Sequence, residues 1–383
     1  MPEPYRIHVP DEVLKDLKAR LRNTRWPDQL EGTGWEYGTD TQYLKTLVDY
    51  WANDFDWRAQ EKKLNAFHNY RASVDGLRIH FIHEKGHVKG NGPNPIPVLM
   101  LHGWPSSFVQ FQKIIPLLTD PAAHGAPDAP SFDVVVPSLP GYGFSDIPTG
   151  RGFAIQAMAE RFTTLMTETL GYKRFALRGS DIGQSVTQQL ALAHPDLVIG
   201  AHVTGLLRGT PTQGAGAPGE AEQKFNRAMA EWDATELAYA RMHGQKPQTL
   251  AVGLNDSPAG LASWIVEKFQ KWGDTKGNVE SRFSKAELLT NLTLYWATGT
   301  AASSVRLYYE FTREKRLQGR VQVPTALLIA THDMVPPLRE VAERMYDVAR
   351  WTQTDVGGHF LEWEEPQLVA EDMRAFFGSL PPD

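Results

Sequence analysis

Along the chain the apolar residues follow two patterns, and the switch between them gives the architecture. From Asp11 to Leu21, Val13, Leu14, Leu17 and Leu21 share one helical face, so the spacing predicts an early helix. Leu77, Ile79 and Phe81 then alternate with Arg78 and His80, which predicts a half-buried antiparallel strand. Later the alternation gives way to near-continuous apolar runs at residues 98–101, 134–136, 175–177, 198–203 and 326–330. Such runs suit strands covered on both faces. Helical spacing fills residues 155–170 and 184–193, and Pro366 opens a segment in which Val369, Met373 and Phe376 share a face. Strands alternating with helices predict an α/β fold, a mainly parallel central sheet with helices on both faces.

Between residues 206 and 320 the strand signal disappears and Trp-, Tyr- and Ala-rich helical patterns take over. This predicts a helical cap inserted after a sheet strand. The chain therefore divides into residues 1–95, an N-terminal portion with the first strands; 96–205, the first part of the core; 206–320, the cap; and 321–383, the rest of the core. The loosest stretches are 86–97 and 209–219, rich in Gly, Pro and small residues.

Composition narrows the function more than the fold. A 383-residue chain with 42% hydrophobic content can fill a substantial core. Its net charge of -6 supplies no basic footprint for nucleic acid and no polybasic tract for anionic lipid. With no cysteine there is no disulfide, thiolate nucleophile or Cys-based metal site. The first residues carry no secretory pattern, and the run 96–101 is far too short to span a bilayer. The expectation is a soluble, cytoplasmic protein with neither nucleic acid nor membrane as partner. A homodimer is compatible with the sequence, although no residue pattern argues for one.

Candidate chemistry centres on Gly179-Ser180-Asp181-Ile182-Gly183, between a strand-like run and a helix-like run. It has the form of a nucleophile elbow, G-x-Nu-x-G, with aspartate at the apex where many hydrolases carry serine. A carboxylate is suited to displacing a leaving group at saturated carbon, which leaves an ester for water to cleave. The motif is short enough to arise by chance, so its surroundings matter. His102-Gly103-Trp104-Pro105 follows the run ending at Leu101, where a loop supplies a backbone donor to an oxyanion hole. The two donors would be the N–H groups of Trp104 and Ile182. His102 itself is read as a turn histidine bonded to neighbouring backbone.

Asp333 stands just past the strand-like run 326–330, and His359 follows Gly357-Gly358 after the run 351–356. The order nucleophile, acid, histidine is that of α/β-hydrolases. Asp355 is closer to His359 in sequence, but an extended segment would aim it away, so Asp333 is the expected orienting acid. The pair Gly141 and Gly143 lacks the third glycine of a dinucleotide fingerprint, Asp146 standing in its place. No P-loop and no H-E-x-x-H motif occur either. Neither a cofactor nor a metal is expected.

Together these residues resemble an epoxide hydrolase of the α/β-hydrolase fold, on the microsomal and juvenile-hormone branch. The likeness runs over essentially the whole chain. Arg25-Trp26-Pro27-Asp28, Tyr43-Leu44, Tyr50-Trp51, Phe55-Asp56-Trp57-Arg58, residues 61–65 and residues 76–83 resemble that branch's N-terminal extension, and residues 253–262 resemble part of its cap. The resemblance implies hydrolysis of an apolar small-molecule epoxide to a vicinal diol, with Asp181 as nucleophile. It also implies two cap tyrosines that polarise the epoxide oxygen, at Tyr239 and Tyr308, with Tyr309 the neighbour that could turn inward instead. Membrane-bound relatives carry an anchor helix, whereas this chain starts directly at the extension, which adds to the expectation of a soluble form. The rival reading is a haloalkane dehalogenase-like hydrolase. It uses the same Asp nucleophile but typically has a tryptophan beside it, where Ile182 stands here. A ligand receptor with the hydrolase fold and no activity is the reading from a different class, and turnover of any epoxide would dispose of it.

Overall fold

A computed structural model describes residues 1–88, 93–205, 218–335 and 337–381 of the chain. Part of each loose stretch, 89–92 and 209–217, thus lies outside the described residues, as does the expected start of the cap at 206. Within them nine strands form one sheet: β1 (Glu3–Pro4), β2 (Asn69–Val74), β3 (Leu77–Glu84), β4 (Ile96–Leu101), β5 (Phe132–Pro137), β6 (Phe175–Gly179), β7 (Val198–Val203), β8 (Val321–Ala330) and β9 (Tyr346–Thr354). The strand order is β1-β2-β3-β5-β4-β6-β7-β8-β9. From β5 to β9 every neighbouring pair is parallel, while β1, β2 and β3 add an antiparallel edge.

The buried strands match their sequence pattern. Val98, Leu99, Met100, Leu101, Val134, Val135 and Val136 are all fully buried, because helices cover both faces of the sheet. β3 departs from its pattern. His80, expected on an exposed face, is fully buried and bridges Ser138 Oγ (2.9 Å) and Asn69 Oδ1 (3.0 Å) through its two ring nitrogens. Burial pushes its pKa down to about 3, so it sits in the core as a neutral, hydrogen-bonded ring. Alternation of a polar residue with apolar ones cannot distinguish a solvated histidine from one with two internal partners.

The amphipathic segment at 155–170 forms an α-helix over Ile155–Thr164 and finishes as one wider turn over Leu165–Thr169. Between β7 and β8 the described chain contains only helices, among them Ala238–Gln245, Pro258–Trp272, Lys285–Thr298 and Ala301–Phe311. The N-terminal portion packs against these rather than standing apart. Trp51 Nε1–H donates to Thr293 Oγ1 at 2.9 Å, and Arg20 reaches Asp256 at 2.8 Å.

The sheet order also locates the crevice. From β4 the chain steps to β5 on one side and returns to β6 on the other, so the connections leaving the carboxyl ends of β4 and β6 diverge. Ligands of open α/β sheets bind at such a switch point. The segments following β4, β6, β8 and β9 hold, in turn, Trp104, Asp181, Asp333 and His359.

Candidate active site

Asp181 links β6 to the helix Ile182–Ala193 with φ 51° and ψ -124°, a conformation L-residues rarely adopt. The flanking glycines are there because nothing larger fits. A Cβ on Gly183 would overlap the carbonyl of Leu101, and one on Gly179 would press on Gly183 and Thr187. The strain at Asp181 costs about 1–3 kcal/mol. A charge-assisted bond offsets a similar amount: the Trp104 N–H donates to Asp181 Oδ1 at 2.8 Å, worth about 1.5–3 kcal/mol. Gly103 allows that approach, since a Cβ there would collide with the Asp181 carboxylate. Ile182 opens the helix, so its N–H is one of the helix-terminal donors with no intrahelical acceptor.

His359 Nδ1 lies 3.0 Å from Asp333 Oδ1, and its Nε2 lies 3.5 Å from Asp181 Oδ2. The ring is therefore held between two carboxylates. Burial pushes its pKa down, but Asp333 and Asp181 outweigh burial and bring it up to about 10. Asp333 is fixed in turn by the Met334 N–H, which donates to Oδ1 at 2.7 Å. The Asp355 side chain is exposed, and its backbone carbonyl accepts from His332 at 3.1 Å. His102 is fully buried: its Nε2 accepts the Leu139 N–H (3.2 Å), leaving Nδ1 to donate to Gly103 O (3.2 Å).

Above these groups the cap supplies an aromatic roof. The Trp104 ring stacks on Tyr239 at 5.1 Å between centroids and meets Tyr308 edge-on at 6.1 Å. Tyr239 and Tyr308 meet each other edge-on at 6.0 Å. Both are buried. Burial first, and then Tyr239 and Asp181, hold the Tyr308 phenol well above its usual pKa, so it keeps its proton at neutral pH. Tyr309 is only half-buried and lies under the Arg313 guanidinium at 3.5 Å, on another face of the helix.

Sequence reasoning missed three neighbours. His243 follows Tyr239 by one helical turn and wedges edge-on against Trp104 (4.8 Å) and Tyr308 (4.8 Å). Its Nε2 accepts from Trp264 Nε1 at 3.0 Å, and burial lowers its pKa to about 3, so it is neutral. The i, i+4 spacing from Tyr239 was its available signal. Trp272 packs 5.2 Å from both His359 and Tyr239, and nothing local in sequence marks it. Glu364 accepts backbone N–H groups on either side of His359. Among the described residues no group of three His, Cys, Asp or Glu side chains is placed to hold a metal ion.

A sheet with an acidic elbow, a histidine between two carboxylates and a helical cap defines a hydrolase of the α/β class. Residues 96–366 match the family model described as the alpha/beta hydrolase fold, and residues 2–111 match that described as the epoxide hydrolase N terminus. Epoxide hydrolase 1 of Oryctolagus cuniculus is 36% identical over 98% of this chain and 88% of that protein. The crystal structure of juvenile hormone epoxide hydrolase from Bombyx mori matches with a TM-score of 0.85 and 31% identity, covering 99% of this chain and 93% of that one. The structure of Aspergillus niger epoxide hydrolase matches with a TM-score of 0.86 and 28% identity, covering 100% and 97%. The chain belongs to the epoxide hydrolase family of the α/β-hydrolase fold.

Proposed function

We propose that the enzyme opens a small, apolar epoxide through a covalent ester on Asp181 and releases a vicinal diol. The observation that carries this reading is the placement of His359 between Asp181 and Asp333, with the Trp104 amide on the Asp181 carboxylate. Asp181 attacks one epoxide carbon from the side opposite the breaking C–O bond. The departing oxygen is strongly basic, so donors must already be in place as charge develops. Tyr239 and Tyr308 supply two phenolic O–H groups, each worth about 2–4 kcal/mol if it acts as a single oxyanion donor does.

The ester then needs water, and water needs a base. In the resting enzyme His359 is protonated, because two carboxylates face it. Esterification neutralises Asp181 and removes one of them, so the imidazole becomes easier to deprotonate. The proton it gives up balances the one consumed by the departing alkoxide. Neutral His359, oriented by Asp333, then takes a proton from water, which attacks the ester carbonyl. The N–H groups of Trp104 and Ile182 hold the oxyanion that forms. Collapse regenerates the Asp181 carboxylate and the imidazolium.

Trapping the ester tests the reading. In His359→Gln the first step proceeds and the second stalls, so incubation with an epoxide such as styrene oxide adds the mass of the substrate to the peptide containing Asp181. An unmodified Asp181 peptide, or a label on another residue, contradicts the assignment.

A further inference from the structure

The backbone of residues 358–360 is held more tightly than a Gly-rich turn requires. The Gly358 N–H donates to Glu364 Oε2 (3.0 Å), the His359 N–H to the carbonyl of Trp272 (2.9 Å), and the Phe360 N–H to Glu364 Oε1 (3.0 Å). Three consecutive donors centred on the histidine are thus accounted for, two of them by the two oxygens of one carboxylate. Glu364 Oε2 accepts a third N–H, from Asp274 at 2.8 Å. This ties the histidine turn to the cap segment whose Trp272 ring packs edge-on against the His359 imidazole. The turn fits closely, since a Cβ on Gly358 would overlap Trp272 O and the Asp274 amide.

The neighbouring acids have different partners. Glu365 pairs with Arg282 Nη1 at 2.7 Å, and the fully buried Glu362 pairs with Arg178 Nη2 at 2.7 Å. Of the three, Glu364 has both carboxylate oxygens on the turn that carries the imidazole. Burial pushes the Glu364 pKa up to about 7 against the pull of its three N–H donors and Arg282, and hydrogen bonds to both oxygens fix direction as well as distance. Nδ1 must meet Asp333 while Nε2 stays beside Asp181, so a small rotation of this turn would misplace both ends of the ring.

We propose that Glu364 is a positioning residue for His359, holding the imidazole where it activates water against the Asp181 ester. It touches neither substrate nor Asp181, and it acts on the second half of the reaction. The proposal rests on the ester mechanism above, and the two are tested apart as follows.

Glu364→Gln sets an amide NH2 against at least one backbone N–H in place of an oxygen. Ester formation and ester hydrolysis are followed separately by rapid quench and mass spectrometry of the Asp181 peptide, with styrene oxide as substrate. Expected is an unchanged rate of ester formation and hydrolysis slowed on the order of 10- to 100-fold, the scale of a small misplacement of a catalytic group. The ester accumulates, and kcat and KM fall together while kcat/KM holds. Loss confined to folding would instead lower kcat/KM with the active fraction and build up no ester, which would overturn the proposal. Hydrolysis at the wild-type rate would overturn it too. His359→Gln is the control: if it traps ester and E364Q does not, the positioning role alone fails; if neither traps ester, the ester mechanism fails first. Should E364Q prove insoluble, Glu364→Asp carries the same readouts, its shorter carboxylate being unable to reach both Gly358 and Phe360.

Discussion

Tyr308 and Tyr309 are adjacent in sequence and chemically identical, yet the helix Ala301–Phe311 gives them different surroundings. Tyr308 packs against Tyr239, Trp104 and His243, while Tyr309 lies beneath Arg313. If the buried phenol is the proton donor, Tyr308→Phe slows ester formation about 100-fold or more, and Tyr309→Phe changes it by no more than about twofold. Pre-steady-state quench of both variants checks this; the reverse ranking would mean that the half-buried Tyr309 ring turns inward during reaction. At this scale the sequence was informative where a residue needs a special backbone. As candidates, Asp181 was legible because glycines must flank a strained apex, and His359 by its place between the last strand and the final helix; that its glycine turn is close-packed and not flexible was not. Glu364 was not, since three acids within residues 362–365 read as a solvated run until their separate partners are seen.

The elements act through close approach more than through intrinsic propensity. The helix Ile182–Ala193 begins beneath Asp181 only because β4 can lie against Gly183, whose missing Cβ leaves room for the Leu101 carbonyl. Gly183→Ala therefore forces backbone apart and not a flexible side chain. Its expected cost is about 1–3 kcal/mol, the usual range for overpacking, with the Trp104–Asp181 contact displaced as well. Chemical denaturation measures it, and an unchanged midpoint would show that the elbow can relax. On the other side, the helix Lys285–Thr298 holds the segment that follows Trp104: Asn291 Nδ2 donates to Pro105 O and Tyr295 OH to Ser106 O, both at 2.8 Å. The strand runs and their burial were legible from continuous apolar stretches. The docking of this helix on the loop was not, because Asn291 and Tyr295 meet backbone carbonyls more than 180 residues away.

Over the whole molecule, the parallel sheet brings together four loops that are far apart in sequence, and the cap closes over them with a largely aromatic face. The N-terminal portion braces that cap, through Trp51 on Thr293 and Arg20 on Asp256. Its family was readable from motifs in sequence, but its physical work, packing against the cap, was visible only in three dimensions. Among the described residues no helix is long and apolar enough to cross a membrane. The account depends on the oxygen that water delivers entering the enzyme before it enters product. One turnover with enzyme in excess, run in water enriched in heavy oxygen, follows that atom directly. Label in the Asp181 carboxylate and an unlabelled first diol is the predicted result; heavy oxygen in the first diol, with Asp181 unlabelled, would contradict it.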